Sequence, residues 1–203
     1  MHRFLLSLFS VWLIFCAAAA GAVTIDFDSL PSGTSPLGSL PGISVSGDGL
    51  VLDETTLVAV TGIPFPAGSV ATSGANVLTN ALGAVLTISF ATPVTSVSVE
   101  TVGALAGSTF GTITMEAFNG ALSLGSATSD PAAIGDSGAP EATLSLAPPG
   151  SMTSVVFSAD LSGPATFALD DLVFTPVPEP GTALLVVAGA AVLGLRGCGE
   201  RRR

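Results

Sequence analysis

Thr112-Ile113-Thr114-Met115-Glu116-Ala117-Phe118, then Asn119-Gly120, then Ala121-Leu122-Ser123-Leu124-Gly125-Ser126. Two short segments are separated by two residues that both tolerate positive φ, the signature of a β-hairpin closed by a type I′ turn over Asn119-Gly120. Outward from this hairpin the chain keeps the same character. It is rich in Val, Thr, Ser, Gly and Ala, is punctuated by Gly and Pro at short intervals, and has almost no helical periodicity.

Further strands are read over Val23–Asp28, Ile43–Ser46, Leu50–Leu52, Ala84–Phe90 and Thr95–Val102, and then over Ala142–Leu146, Thr153–Ser158 and Thr166–Phe174. Apolar residues alternate cleanly at Leu86, Ile88 and Phe90, and with one slip of phase at Val94, Val97 and Val99. Residues 129–140 read as a loop. About ten short strands without a convincing helix predict an all-β domain, an antiparallel two-sheet jelly-roll-like sandwich over residues 23–175. Phe27, Phe90, Phe157, Phe167 and Phe174 are its expected core aromatics.

The domain is flanked by segments of another kind. The chain has 203 residues and a hydrophobic share of 48%, and much of the excess lies at its two ends. Residues 1–22 carry Arg3, an apolar run from Phe4 to Ala20, and Ala20-Gly21-Ala22. This is the layout of a secretory signal peptide, with Ala20 and Ala22 as the small residues that signal peptidase requires after passage through the Sec translocon. A lipoprotein signal acylated on Cys16 fits less well, because Phe15 is too large for the position before it.

Residues 177–203 hold Val177-Pro178-Glu179-Pro180-Gly181-Thr182, the apolar run 183–195, and a basic end of Arg196, Arg201, Arg202 and Arg203. Two prolines hold the first part extended. The apolar run enters a bilayer as a short transmembrane helix, although it falls below the roughly 20 residues that span one comfortably. The arginines keep its end cytoplasmic, so the preceding domain lies outside.

These three parts, in this order, resemble the PEP-CTERM sorting signal of exopolysaccharide-producing Gram-negative bacteria. The resemblance implies transient residence in the inner membrane, cleavage near Pro178-Glu179-Pro180 by an exosortase, and delivery to the cell surface or extracellular matrix. Cys198 and Glu200 are not part of that pattern.

Charge narrows the chemistry. All five basic residues, Arg3, Arg196, Arg201, Arg202 and Arg203, belong to the end segments, and of the 15 acidic residues only Glu179 and Glu200 lie outside the central domain. A domain with acids alone cannot neutralise phosphates, which argues against nucleic acid as a partner. It also lacks His and Lys, so a serine or threonine nucleophile has no base to activate it. A pair of carboxylates acting as in glycosidases remains conceivable, but no recognisable motif carries one. The expectation is a protein that is not an enzyme.

Both cysteines, Cys16 and Cys198, lie outside the domain, which leaves no disulfide inside it. The single Trp is Trp12 and Tyr is absent. Sugar binding usually draws on Trp or Tyr faces, and here only Phe65 and Phe110, in loop-like surroundings, could serve.

Ile25-Asp26-Phe27-Asp28, Ile88-Ser89-Phe90, Val97-Ser98-Val99 and the closing Phe167-Ala168-Leu169-Asp170-Asp171-Leu172-Val173-Phe174 resemble extracellular jelly-roll modules related to carbohydrate-binding domains. The resemblance implies that the first and last strands lie side by side, which would bring Asp26 or Asp28 to Asp170 or Asp171. Ca²⁺ is the cofactor such oxygen ligands would hold. Adjacent strand residues face opposite ways, so only one of Asp170 and Asp171 is expected to point inward. The competing reading is that these carboxylates are solvated and serve solubility.

Two functions follow as expectations. One is an exported structural protein of the surface or matrix, associated with exopolysaccharide. The other is a glycan- or Ca²⁺-binding surface module.

Overall fold

The computed structural model describes residues 21–33, 40–47, 49–53, 74, 76–80, 85–106, 109–129, 141–160 and 166–178. Every regular element among them is a strand, and Ala22–Pro176 forms one compact unit. The strands are β1 (Val23–Ile25), β2 (Ile43–Gly47), β3 (Leu50–Asp53), β4 (Asn76–Thr79), β5 (Val85–Ala106), β6 (Thr109–Gly111), β7 (Ile113–Asn119), β8 (Leu122–Thr128), β9 (Glu141–Leu146), β10 (Met152–Ala159) and β11 (Thr166–Pro176). All pairings are antiparallel.

β5 organises the sheet, whose main path runs β3-β4-β11-β5-β10-β7-β8. Its first part, Val85 to Phe90, lies between β2 and β10. Its later part, from Val94 onward, lies between β11 and β9 and ends against β6. The two parts face a single core, in which Leu86, Ile88, Met115 and Phe157 join Val97, Val99, Leu144 and Phe174. The sheet therefore folds over its own apolar face, so that each strand hides alternate residues without help from a helix.

All five core aromatics expected from the sequence are buried: Phe27, Phe157 and Phe167 at 0% exposure, Phe174 at 3% and Phe90 at 8%. Phe90 and Phe174 meet with ring centroids 5.2 Å apart and planes tilted by 50°, one of the arrangements aromatic quadrupoles favour. The first and last strands do lie side by side, with Val23 opposite Phe174 and Ile25 opposite Leu172.

Four local readings are corrected. The hairpin is present, but Asn119 still pairs with Leu122, so the loop is Gly120–Ala121. Gly120 has φ 59°, and no other residue of the turn has positive φ. Positive φ at the first central residue alone fits a type II′ turn, not type I′.

The segments Ala84–Phe90 and Thr95–Val102 are parts of one strand. Between the pairs Ser154–Ser89 and Met152–Val94, β5 spends five residues where β10 spends two. The surplus forms a bulge that accommodates Pro93, which has no N–H to give a ladder. The Ala91 N–H donates to the Gly42 carbonyl at 2.8 Å, so β2 keeps hold of the bend.

β4 and β6 were not foreseen. Val77, Leu78 and Thr79 of β4 are all buried, so that strand shows no alternation to read. Phe110, placed in a loop by its surroundings in the sequence, belongs to β6 and pairs with Leu105.

Polar side chains close the ends of the ladders. Ser129 accepts the Ile113 N–H at 2.8 Å and fastens the open end of the β7–β8 hairpin. Buried Asn80 accepts the Phe167 N–H at 3.0 Å and fixes the start of β11. Gly47 ends β2 with φ 99°, and a Cβ there would stand 2.7 Å from the Val85 carbonyl oxygen, so only glycine fits.

Residues 1–20 of the signal segment, the apolar run 183–195, Arg201, Arg202 and Arg203, and the rest of the sorting motif from Glu179 to Thr182 lie outside the described residues, as does Phe65. No helix among the described residues is long and apolar enough to cross a membrane.

Candidate functional site: hydroxyl-lined sheet faces and an acidic strand junction

Alternation buries one side of each strand and turns the other outward, and the register decides which outward residues become neighbours. Across the first group of strands, Ser44 of β2 stands opposite Ser89 of β5, Ser89 opposite Ser154 of β10, Ser154 opposite Phe118 of β7, and Phe118 opposite Ser123 of β8. The next row is Ser46, Thr87, Val156, Glu116 and Ser126. Hydroxyls dominate, and the one carboxylate, Glu116, accepts a hydrogen bond from the Ser123 hydroxyl at 2.5 Å.

The second group repeats the pattern. Thr24 of β1, Val173 of β11, Ser98 of β5 and Ser145 of β9 form one row. Thr175 and Ser96 begin the next, and the Ser96 hydroxyl donates to Thr175 Oγ1 at 3.0 Å. On the other side of Ser98 lies Glu100, opposite Thr143, whose hydroxyl spans both carboxylate oxygens at 2.8 and 3.0 Å.

A surface pocket of about 180 Å³ opens in this second face, lined by Ser96, Ser98 and Ser145 together with Val97, Leu146, Ala147 and Val173. No charged side chain lines it.

Of the four aspartates proposed as ligands, Asp26 follows directly on β1, whose pairing with β11 ends at Ile25 opposite Leu172. Asp170 pairs with Glu100 on the other side of β11. Asp28 is directed elsewhere: its Oδ1 accepts the Asn76 N–H at 2.8 Å, while the Asn76 amide donates to the Leu30 carbonyl at 3.0 Å, tying the segment after β1 to the start of β4.

Of Asp170 and Asp171 only Asp170 is buried, although the strand between them is not regular. Between Asp170–Glu100 and Val173–Ser98 the strand gains a residue, and Asp171 adopts φ 45°. This β-bulge interrupts the alternation, a conformation Asp tolerates better than most residues. Asp170 is buried at 1% exposure and its Oδ1 accepts the Asp171 N–H at 2.8 Å, whereas Asp171 is half-buried. Among the described residues, no group of three or more His, Cys, Asp or Glu is placed to hold a metal ion. Of the processing residues, Ala22 is exposed and Val177 and Pro178 are half-buried.

Ser96, Ser98, Ser145 and Val173 went unnoticed as site residues in the sequence. The signal for them exists, since Val97-Ser98-Val99 puts one hydroxyl between two core positions. Only the register shows which of the many hydroxyls meet.

No protein-family model matches the chain, and no curated protein is similar to it. Among solved structures, the K2 cleaved adhesin domain of Lys-gingipain is similar over 76% of this chain and 99% of that domain, at 16% identity and a TM-score of 0.46. The K1 cleaved adhesin domain of Lys-gingipain from Porphyromonas gingivalis W83 is similar over 77% of this chain and 99% of its own, at 10% identity and a TM-score of 0.44. TmCBM61, solved in complex with β-1,4-galactotriose, is similar over 75% of this chain and 99% of its own, at 12% identity and a TM-score of 0.41. At these identities and scores the likenesses assign this chain no ligand and no activity.

Proposed function

We propose that this chain is an exported, non-catalytic protein of the bacterial surface or extracellular matrix, whose β domain associates with polysaccharide through its hydroxyl-lined sheet faces. The observation that carries the reading is the register of outward residues. It assembles Ser and Thr into rows across neighbouring strands on both groups, with isolated carboxylates and no cation among them. Such a surface offers donors and acceptors to a polyol, and its rows hold no His or Lys to activate a hydroxyl nucleophile. Jelly-roll architecture suits this role and is part of the proposal.

The two end segments supply the transport half. The Sec translocon and signal peptidase would deliver the domain across the inner membrane, where the apolar run 183–195 holds it until an exosortase cuts near Pro178-Glu179-Pro180. All positive charge leaves with the two segments, so the delivered product carries acids alone.

Intact-mass and terminal-peptide spectrometry of the protein isolated from its host tests the transport half. The expected mature chain starts at Val23 and ends between Pro178 and Gly181. An envelope protein still carrying Arg203 would contradict it.

A further inference from the structure

We infer that the pocket between β9, β5 and β11 is a binding subsite for a single neutral sugar ring of a polysaccharide chain. The inference rests on the polysaccharide-association reading above and gives that association a place and a chemistry.

The pocket combines two kinds of wall. Val173 and Ala147 present carbon on the outward face and Ser96, Ser98 and Ser145 present hydroxyls, while Val97 and Leu146, paired beneath them, turn toward the core. A pyranose has the matching division, with C–H groups on its ring faces and hydroxyls around its edge. The pocket holds about 180 Å³ and is open to solvent, so a single ring can settle in it with the rest of a chain outside.

Ser98 and Ser145 are opposite one another in register on adjacent strands. Among the described residues neither hydroxyl has a hydrogen-bond partner, so both can donate to and accept from a ligand. Ser96 already donates to Thr175 and keeps its oxygen lone pairs as acceptors. No charged group lines the pocket. Glu100 lies two residues along β5 from Ser98 on the same face, roughly 7 Å away by strand geometry. Its carboxylate is already held by Thr143. An anionic sugar entering the pocket would meet that negative charge with no cation in the domain to offset it. Charge therefore selects neutral rings over uronates.

The test uses the mature protein from the host and four probes: cellotetraose, xylotetraose, β-1,4-galactotetraose and an oligomer of mannuronate. Binding is read by NMR shifts of backbone amides and by titration. At least one neutral tetrasaccharide is expected to bind and to shift amides at Ser98, Ser145 and Val173, while oligomannuronate does not. Ser98→Ala combined with Ser145→Ala should weaken binding about tenfold, the scale of losing one or two hydrogen bonds. Leu122→Ala, an exposed position of β8 outside the hydroxyl rows, should leave binding within about twofold of the unaltered protein. Thermal melting of each variant verifies that it is folded.

Three results would overturn the subsite: a folded Ser98→Ala/Ser145→Ala variant that binds like the parent, oligomannuronate bound as tightly as the neutral probes, or no probe that shifts those amides. If the protein still sediments with host polysaccharide and the pocket variant sediments equally, the subsite fails and the association stands. If the unaltered protein sediments with no polysaccharide, both fall.

Discussion

Phe157→Ala is expected to lower the stability of the domain by about 3–5 kcal/mol, the usual cost of removing a fully buried phenylalanine and leaving a cavity. Phe157 has 0% exposure and sits on β10 between Leu86 of β5 and Met115 of β7, each also fully buried. Its ring fills the middle of the first strand group, and β10 is locked on both edges by hydrogen-bonded neighbours. The walls therefore cannot close over the gap. A domain of this size holds roughly 5–15 kcal/mol in total, so the loss is a large fraction of the whole. It corresponds to a fall in melting temperature of roughly 6–20 °C. Urea unfolding followed by circular dichroism measures it. Leu122→Ala is the control: Leu122 is 66% exposed on β8, and its removal should change stability by no more than about 0.5 kcal/mol. Equal losses in the two variants would mean that the core is not where the fold puts it.

The second large effect concerns fate. On the proposed processing, replacing Pro178, Glu179 and Pro180 together by Ala leaves the basic tail attached, so nearly all of the protein stays in the inner-membrane fraction and keeps Arg203. Parent protein in the same host loses its tail and leaves that fraction. The folded domain should be unaffected, because β11 ends at Pro176, before the motif. Immunoblotting of fractionated cells, with mass spectrometry of the retained band, distinguishes the two fates. A variant processed like the parent would place the cleavage determinant elsewhere.

The two predictions draw on different layers of the sequence, and the layers were legible to different degrees. Strand content followed from β-branched residues and Gly/Pro punctuation, and the five phenylalanines assigned to the core are all there. Local alternation could not reveal β4. Its residues are covered on both sides, and a strand buried on two faces has no period of two to detect. β5 looked like two strands because Pro93 normally ends one, yet a bulge absorbed it without breaking the pairing on either side. The Asn119-Gly120 pair marked the hairpin correctly but misplaced its loop by one residue, since Asn119 kept strand pairing and left the positive φ to Gly120.

The site was harder to read for a related reason. In a chain crowded with Ser and Thr, composition cannot say which hydroxyls share a surface. Cross-strand register decides that, and it is set by long-range pairing. Ser98 and Ser145 are 47 positions apart in the numbering and face each other only because Val97 pairs with Leu146. The aspartates show the converse. Asp170 and Asp171 stood out as an adjacent pair of which one alone is buried, while the bulge and the positive φ of Asp171 between them left no mark in the sequence. The first and last strands do lie side by side, with pairing that ends at Ile25 and Leu172, while Asp28 is a structural tie to Asn76.

The central claim is that the mature acidic domain associates with polysaccharide. Co-sedimentation of the native mature protein with exopolysaccharide isolated from the same host tests it most directly, with and without chelator and at raised salt. The protein should pellet with the polysaccharide, 0.5 M salt (about 4 Å of Debye screening) should leave the association intact because hydroxyls and not charges make it, and removing divalent ions should change little. Protein that stays in the supernatant under all of these conditions would contradict it.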